Sequence, residues 1–204
     1  MSHKPLDLVD PQAIEHLYSV ASALFAERGR EGVSVREISR AADVSVAAIY
    51  YHFGSKEGLF EEVSLHKYED FERAVLQRTR TAGTGPVDAA QLALAFFDTL
   101  TADRNLLRLL QRDMIVEPDT PARFLSRQQY QHFRQIIERQ LQLEAGSFEG
   151  EMMLFSFAAV VNGYCELVMA NLGTSDEADA EHIARHRRYL DAFVRRMFAP
   201  PAGG

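Results

Sequence analysis

SVREISRAADVSVAAIYYHFGSKEGLF, residues 34–60, is the stretch that decides the fold. Ser34 followed by Glu37 is a capping box: the serine hydroxyl accepts from the Glu37 backbone N–H, and the Glu37 carboxylate reaches back to the Ser34 N–H. A short helix is therefore expected from Val35 to Ala42, burying Val35, Ile38, Ala41 and Ala42. Asp43-Val44-Ser45 interrupts it, and Ser45 is a good N-cap for a second helix, Val46 to Tyr51 or His52. Gly54 ends that helix, because glycine tolerates the left-handed conformation that a C′ residue needs. Ser55 caps a third helix opening Lys56-Glu57-Gly58-Leu59-Phe60. Two short helices joined by a three-residue turn, with Val44 turned inward, make a helix-turn-helix, a motif that lays its second helix in the DNA major groove.

Val44-Ser45, Ile49-Tyr50-Tyr51-His52-Phe53, Ser55-Lys56-Glu57 and Leu59-Phe60 stand in the order and spacing of one known signature. The stretch resembles the TetR (tetracycline-repressor-like) family of transcriptional regulators, over about residues 12–60. Three positions depart from the family pattern: Asp43 replaces the usual glycine, Val46 a common lysine and Ala47 a common glycine. Val46 removes a lysine that would read guanine, so no sequence preference is carried over. The resemblance implies an all-α protein with an N-terminal three-helix helix-turn-helix DNA-binding head, residues 1–55, and a C-terminal helical ligand-binding and dimerisation bundle, residues 56–204.

The chemistry of the cluster agrees. Tyr50, Tyr51 and His52 crowd the end of a very short helix, with Lys56 opening the next, whereas a core would use at most one face of that group. Hydroxyls, imidazoles, lysines and helix N-termini are phosphate donors. Ser34, Arg36, Tyr51, His52 and Lys56 are expected to hold phosphates. Ser45, Val46, Ala47 and Tyr50 are expected to face base edges, where apolar contact favours thymine methyls. Charge runs against this expectation. The net charge is −7, and residues 1–60 hold six Lys and Arg against eight Asp and Glu. Few phosphates can then be neutralised, and the log–log salt slope of binding should be shallower than about −8.

Outward from the motif, Asp10-Pro11 starts helix one, whose Ile14, Leu17, Tyr18, Ala21, Leu24 and Phe25 form a helical stripe before Gly29 stops it. Phe25 and Phe53 read as core of the head. The helix from Ser55 should run to about Arg80, with residues 81–86, Thr-Ala-Gly-Thr-Gly-Pro, as a linker. Helices are then expected over residues 87–101, from Asp103, from Thr120-Pro121, over 148–172 and over 179–198.

The helix of residues 148–172 is apolar on nearly every face, and such a helix must be covered on all sides. Asn162 and Glu166 interrupt it, so it reads as a buried helix with no membrane partner. A second subunit is the simplest cover. Ala159 and Gly163 allow close approach, Leu167 and Asn171 extend that face, and Leu190, Phe193, Val194 and Met197 on the last helix join it. A homodimer follows, and a two-fold of recognition helices must read an inverted repeat. Four-helix pairing of this kind is also how TetR-like proteins dimerise.

The resemblance further implies a small, largely apolar effector. Phe97, Leu110, Met114, Tyr130, Phe133 and Phe155 with Asn162 and Cys165 are the expected lining, apolar with a few polar groups. No cofactor is expected. One cysteine allows no internal disulfide, and no charged-then-apolar leader opens the chain, so the cytoplasm is the expected compartment. No phosphate loop or Gly-x-Ser-x-Gly elbow is present, so no enzyme is expected. His182 and His186 are spaced as a two-ligand clip, but only Asp179 and Glu181 stand close in sequence, and no metal site is expected. The function implied is a repressor released from its operator by the effector. The alternatives are an activator and a helical ligand-binding module that does not bind DNA.

Overall fold

The computed structural model describes residues 11–81, 88–103, 105–109, 131, 134–135, 137–139, 142–144, 148–170 and 176–198. Among these the helices are α1 (Pro11–Arg28), α2 (Val35–Ala41), α3 (Val46–Phe53), α4 (Lys56–Thr81), α5 (Ala89–Ala102), α6 (Phe148–Ala170) and α7 (Asp176–Met197), and no strand occurs. Residues 105–109 and 137–139 are also helical. Leu110, Met114, Tyr130, Phe133 and Asn171, residues 82–86 of the expected linker and the Thr120-Pro121 helix start all lie outside the described residues, and Thr81, the first residue of that expected linker, instead closes α4.

The described residues pack as two compact units. One holds residues 11–70 and 105–109, the other residues 71–103 and those from 131 onwards, so the boundary falls within α4.

In the first unit, Leu17, Ala21, Phe25, Val33, Ile38, Val44, Ile49, Leu59, Val63 and Leu109 form one core. Phe25 meets Phe60 edge-on, ring centroids 5.1 Å apart, an arrangement worth about 0.5–1.5 kcal/mol beyond its area. Phe25 is fully buried as expected, while Phe53 packs only partly against this core. On the flank, His66 on α4 lies 3.1 Å from Glu15 and 4.6 Å, ring to ring, from Tyr18, both on α1.

The second unit is built on α5. Asp88 and Gln91 form a capping box at its start, so the helix begins at Ala89 and not at Val87 as the hydrophobic spacing suggests. Leu92, Ala93, Phe96, Phe97 and Leu100 are buried. Phe96 stacks edge-on against Phe71 at 5.2 Å and against Phe157 of α6 at 5.8 Å. Arg187 of α7 grips Asp98 of α5 through two bonds of 2.7 and 3.0 Å, and Arg195 reaches Asp88 at 2.9 Å. These half-exposed pairs contribute about 0.2–1 kcal/mol each, and the buried aromatics carry the packing.

Helix α6 spans Phe148–Ala170, close to the expected bounds. By length and composition residues 150–170 could cross a membrane. The inner stripe of α6, Leu154, Phe157, Val161, Cys165 and Val168, is buried in the unit.

Candidate nucleic-acid interface

Local caps set every element of the α2–α3 region. Ser34 adopts an extended backbone (φ −100°, ψ 150°) and its hydroxyl accepts the Glu37 N–H at 3.3 Å. The Glu37 carboxylate accepts the Ser34 N–H at 2.9 Å and the Ser34 hydroxyl at 2.8 Å, and Arg28 donates to its other oxygen at 2.9 Å. The Ser34 N–H, the Ser34 hydroxyl and Arg28 together hold the Glu37 carboxyl at a pKa of about 2. The expected capping box is present. It also employs the Ser34 hydroxyl as donor, so a phosphate at Ser34 must compete with Glu37.

The turn shows why glycine is usual at position 43. Asp43 is left-handed (φ 53°), a conformation that Asp tolerates better than most residues because its short side chain can bond locally. Two findings differ from the expected α2 face. Ala41 is exposed, while Ser39, not expected in the core, is buried with its hydroxyl donating to the Val44 carbonyl. A polar side chain is buried cheaply when its donor is satisfied, and a serine in an amphipathic pattern gives no sign of that partner.

Helix α3 starts at Ser45, whose hydroxyl accepts the Ala48 N–H at 3.0 Å, and ends at Gly54 (φ 71°), whose N–H bonds the Tyr50 carbonyl at 2.9 Å. Nothing lies within 4 Å of a Cβ built on Gly54, so φ alone demands glycine there. Ser55 caps α4 by accepting the Gly58 N–H at 2.9 Å. At Gly58 a Cβ would meet the Phe53 carbonyl oxygen at 2.1 Å, so the tight α3–α4 corner requires the missing side chain.

Only Ile49 of α3 is buried. Ala47 is exposed, Ser45 and Val46 are half-buried, Tyr50 is 48 % exposed and Tyr51 80 %. A short helix of just over two turns, pinned at both ends, therefore presents small, hydroxyl and aromatic groups outward. Arg36 and Arg40 are exposed on α2, and Lys56 sits half-buried in the first turn of α4. His52 stacks edge-on against Tyr51 at 5.9 Å, and its Nε2 is buried without a hydrogen-bond partner. That atom cannot reach a phosphate unless the ring turns.

The other expected residues fall in the second unit. Phe97 and Cys165 are buried, Asn162 is half-buried, and Phe155 stands on the outward face of α6. Burial first, and Asp98 second, push the Cys165 thiol up to about 12. Ala159, Gly163 and Leu167 lie on one outward stripe of α6 with Met152 and Phe155, and Leu167 is 66 % exposed. A Cβ on Gly163 would meet nothing within 4 Å. On α7 the expected set divides: Phe193 (50 % exposed) and Met197 face outward, whereas Leu190 and Val194 are fully buried within the protomer. Tyr189, Phe148 and Met152 were missed and belong to the exposed set; continuing the spacing back from Phe193 and Ala159 would have found Tyr189 and Met152. His182 and His186 stack at 4.3 Å, and the Tyr164 hydroxyl lies 2.7 Å from His186 Nδ1. Among the described residues no group of three or more His, Cys, Asp or Glu could hold a metal.

Residues 17–63 match the family described as bacterial regulatory proteins, tetR family. The probable HTH-type transcriptional regulator YttP of Bacillus subtilis (strain 168) is 34 % identical over 100 residues, 48 % of this chain and 48 % of that one. The HTH-type transcriptional repressor KstR2 of Rhodococcus jostii (strain RHA1) is 32 % identical over 94 residues, 40 % of this chain and 46 % of that one. The chain thus spans about half the length of the curated relatives it matches. A tetR family transcription regulator of Shewanella sp. PV-4 shares the fold, with a TM-score of 0.66 at 20 % identity over 91 % of this chain and 97 % of that one.

Proposed function

We propose that this chain, whose residues 17–63 match the tetR family of bacterial regulatory proteins, is a sequence-specific DNA-binding transcriptional regulator, a repressor of the cytoplasm that binds an inverted repeat as a homodimer. The observation that carries this reading is the outward face of α3: Tyr50 and Tyr51 stand in solvent on a helix capped at both ends and anchored by one buried residue, Ile49. Exposed rings on a rigid helix mark a surface made for a partner, and a rim of hydroxyl, imidazole and lysine suits phosphate better than protein. Ser34, Arg36, Tyr51 and Lys56 take the phosphate roles, His52 joining them once its ring turns its buried Nε2 outward, and Ser45, Val46, Ala47 and Tyr50 the base edges.

Two subunits meet, in this reading, through Ala159, Gly163, Leu167, Phe193 and Met197. The open space at Gly163 and the mainly apolar outward stripe of α6 support it. Leu190 and Val194 support the protomer's own core instead.

Release follows when a small, largely apolar effector binds the second unit in a state that cannot hold DNA, with Phe97, Asn162 and Cys165 as the described part of its site. Helix α4 contributes residues to both units, so it offers a covalent route for the signal. The effector must prefer the DNA-incompetent state, since equal affinity for both would shift nothing. No catalytic step enters the reading, and a thiol held up to about 12 is no nucleophile at neutral pH.

Selection from a random duplex pool at moderate salt tests the proposal, with Tyr50→Ala as control. An enriched inverted repeat that disappears with the variant is expected. No enrichment from a protein that still sediments as a dimer would leave a ligand-binding module without DNA in its function.

A further inference from the structure

The cations around the proposed DNA face are not equally available. Arg36 and Arg40 have no ion-pair partner among the described residues, but Arg28 is held by Glu37 and Lys56 by Glu31. Glu31 lies in the turn between α1 and α2. One of its oxygens is 3.0 Å from Arg30 Nε and the other 3.5 Å from Lys56 Nζ, while its side chain is 78 % exposed. It forms no part of the core and caps no helix. It spans from its own turn to the opening of α4, where the Ser55 cap and the first amides also lie.

We propose that the Glu31 carboxylate is an intramolecular stand-in for a backbone phosphate, which DNA must displace from Lys56 and Arg30 and which thereby holds down nonspecific binding. The inference rests on the DNA-binding reading above and deepens it. Each phosphate that reaches Lys56 sheds a condensed counterion, but the displaced Glu31 then takes up a cation from solution, so the net ion release is smaller than a free lysine would give. An exposed pair of this kind is weak, and its loss should change affinity by about two- to fivefold. On unrelated DNA, where phosphate contacts supply essentially all the binding, that factor is a large share of the whole. On the operator it adds to base contacts that Glu31 does not touch, so Glu31 shapes the ratio between the two.

The test is fluorescence anisotropy with an unrelated duplex and with the selected inverted repeat, across a salt series, using the full chain. Glu31→Gln should tighten the unrelated duplex about two- to fivefold and steepen its log–log salt slope by up to about 0.9. Glu57→Gln, which removes the same charge beside Lys56 in sequence without an ion pair to it, should do less. In a Lys56→Gln background the gain from Glu31→Gln should shrink by more than half, since the displaced pair is gone. An equal gain from both glutamates, or an undiminished gain without Lys56, would reduce the effect to overall charge and overturn the proposal, as would no gain at all. A wild-type dimer that binds neither duplex would overturn the DNA-binding reading, and with it this one.

Discussion

The outward faces of α3 and α6 both leave large apolar side chains in water, and they do so differently. On α3 the exposed rings are Tyr50 and Tyr51, each ending in a hydroxyl, with His52 against Tyr51, Ser45 capping the same helix and Lys56 opening the next. On α6 the exposed groups are mostly apolar, Met152, Met153, Phe155, Ala159 and Leu167, with Ser156 and Glu166 the polar side chains among them. The first face is amphipathic and its backbone is fixed by caps at every corner. The second is a mainly apolar stripe on a long helix, edged by Ser156 and Glu166. A surface that will meet a charged, hydrated partner keeps hydrogen-bonding groups beside its rings, while a surface that will meet its own copy needs only shape and area.

The largest effect that could break this contrast is expected at Leu167. Leu167→Asp puts a charge in the apolar stripe without touching the protomer's core, so the fold should persist while the dimer dissociates. Operator affinity should fall at least about hundredfold, because binding two half-sites at once is lost. A variant that sediments as a dimer and binds normally would remove α6 from the interface.

Next in size is a pair of changes on α3. Ile49→Ala empties a fully buried site and should cost about 2–5 kcal/mol in a denaturant melt. Tyr51→Ala, one turn face away, should leave stability within about 0.5 kcal/mol while weakening DNA binding. If both destabilised the head alike, Tyr51 would be a packing residue and the face would lose its reading.

The head was far more legible in the sequence than the second unit, for a physical reason. Ser34, Glu37, Ser45, Gly54 and Ser55 act on neighbours within four residues, so their bonds can be read from spacing alone. Outward and inward on α7 depend on what packs there. Leu190 and Val194 repeat every four residues, as do Tyr189, Phe193 and Met197, and only the contact with the rest of the unit decides that the first set is core. The buried Ser39 and the inward Nε2 of His52 were hidden for the same reason: each depends on a tertiary environment that no local pattern carries.

Smaller effects sharpen the role of the caps. Gly54→Ala should cost about 1 kcal/mol from left-handed strain alone, since space for the methyl is open. Placing the same substitution at Gly58 should cost more, because a Cβ there meets the Phe53 carbonyl.

Smallest is a pH effect at Glu37. Its folded pKa of about 2 lies below the ordinary 4.5, so the stabilisation from its cap and from Arg28 is present above about pH 4.5 and is lost as pH falls toward 2. Acid unfolding followed by circular dichroism should show that window, and Glu37→Gln should flatten it. An unchanged acid limb would mean the capping box adds nothing to stability.

The most direct test joins both faces in one experiment. Sedimentation of the wild-type chain on the selected duplex, intact and with one half-site scrambled, reads symmetry and recognition together. Two chains on the intact duplex, with binding much weakened on the scrambled one, is the predicted result. One chain per duplex at undiminished affinity would contradict the division of labour between α3 and α6.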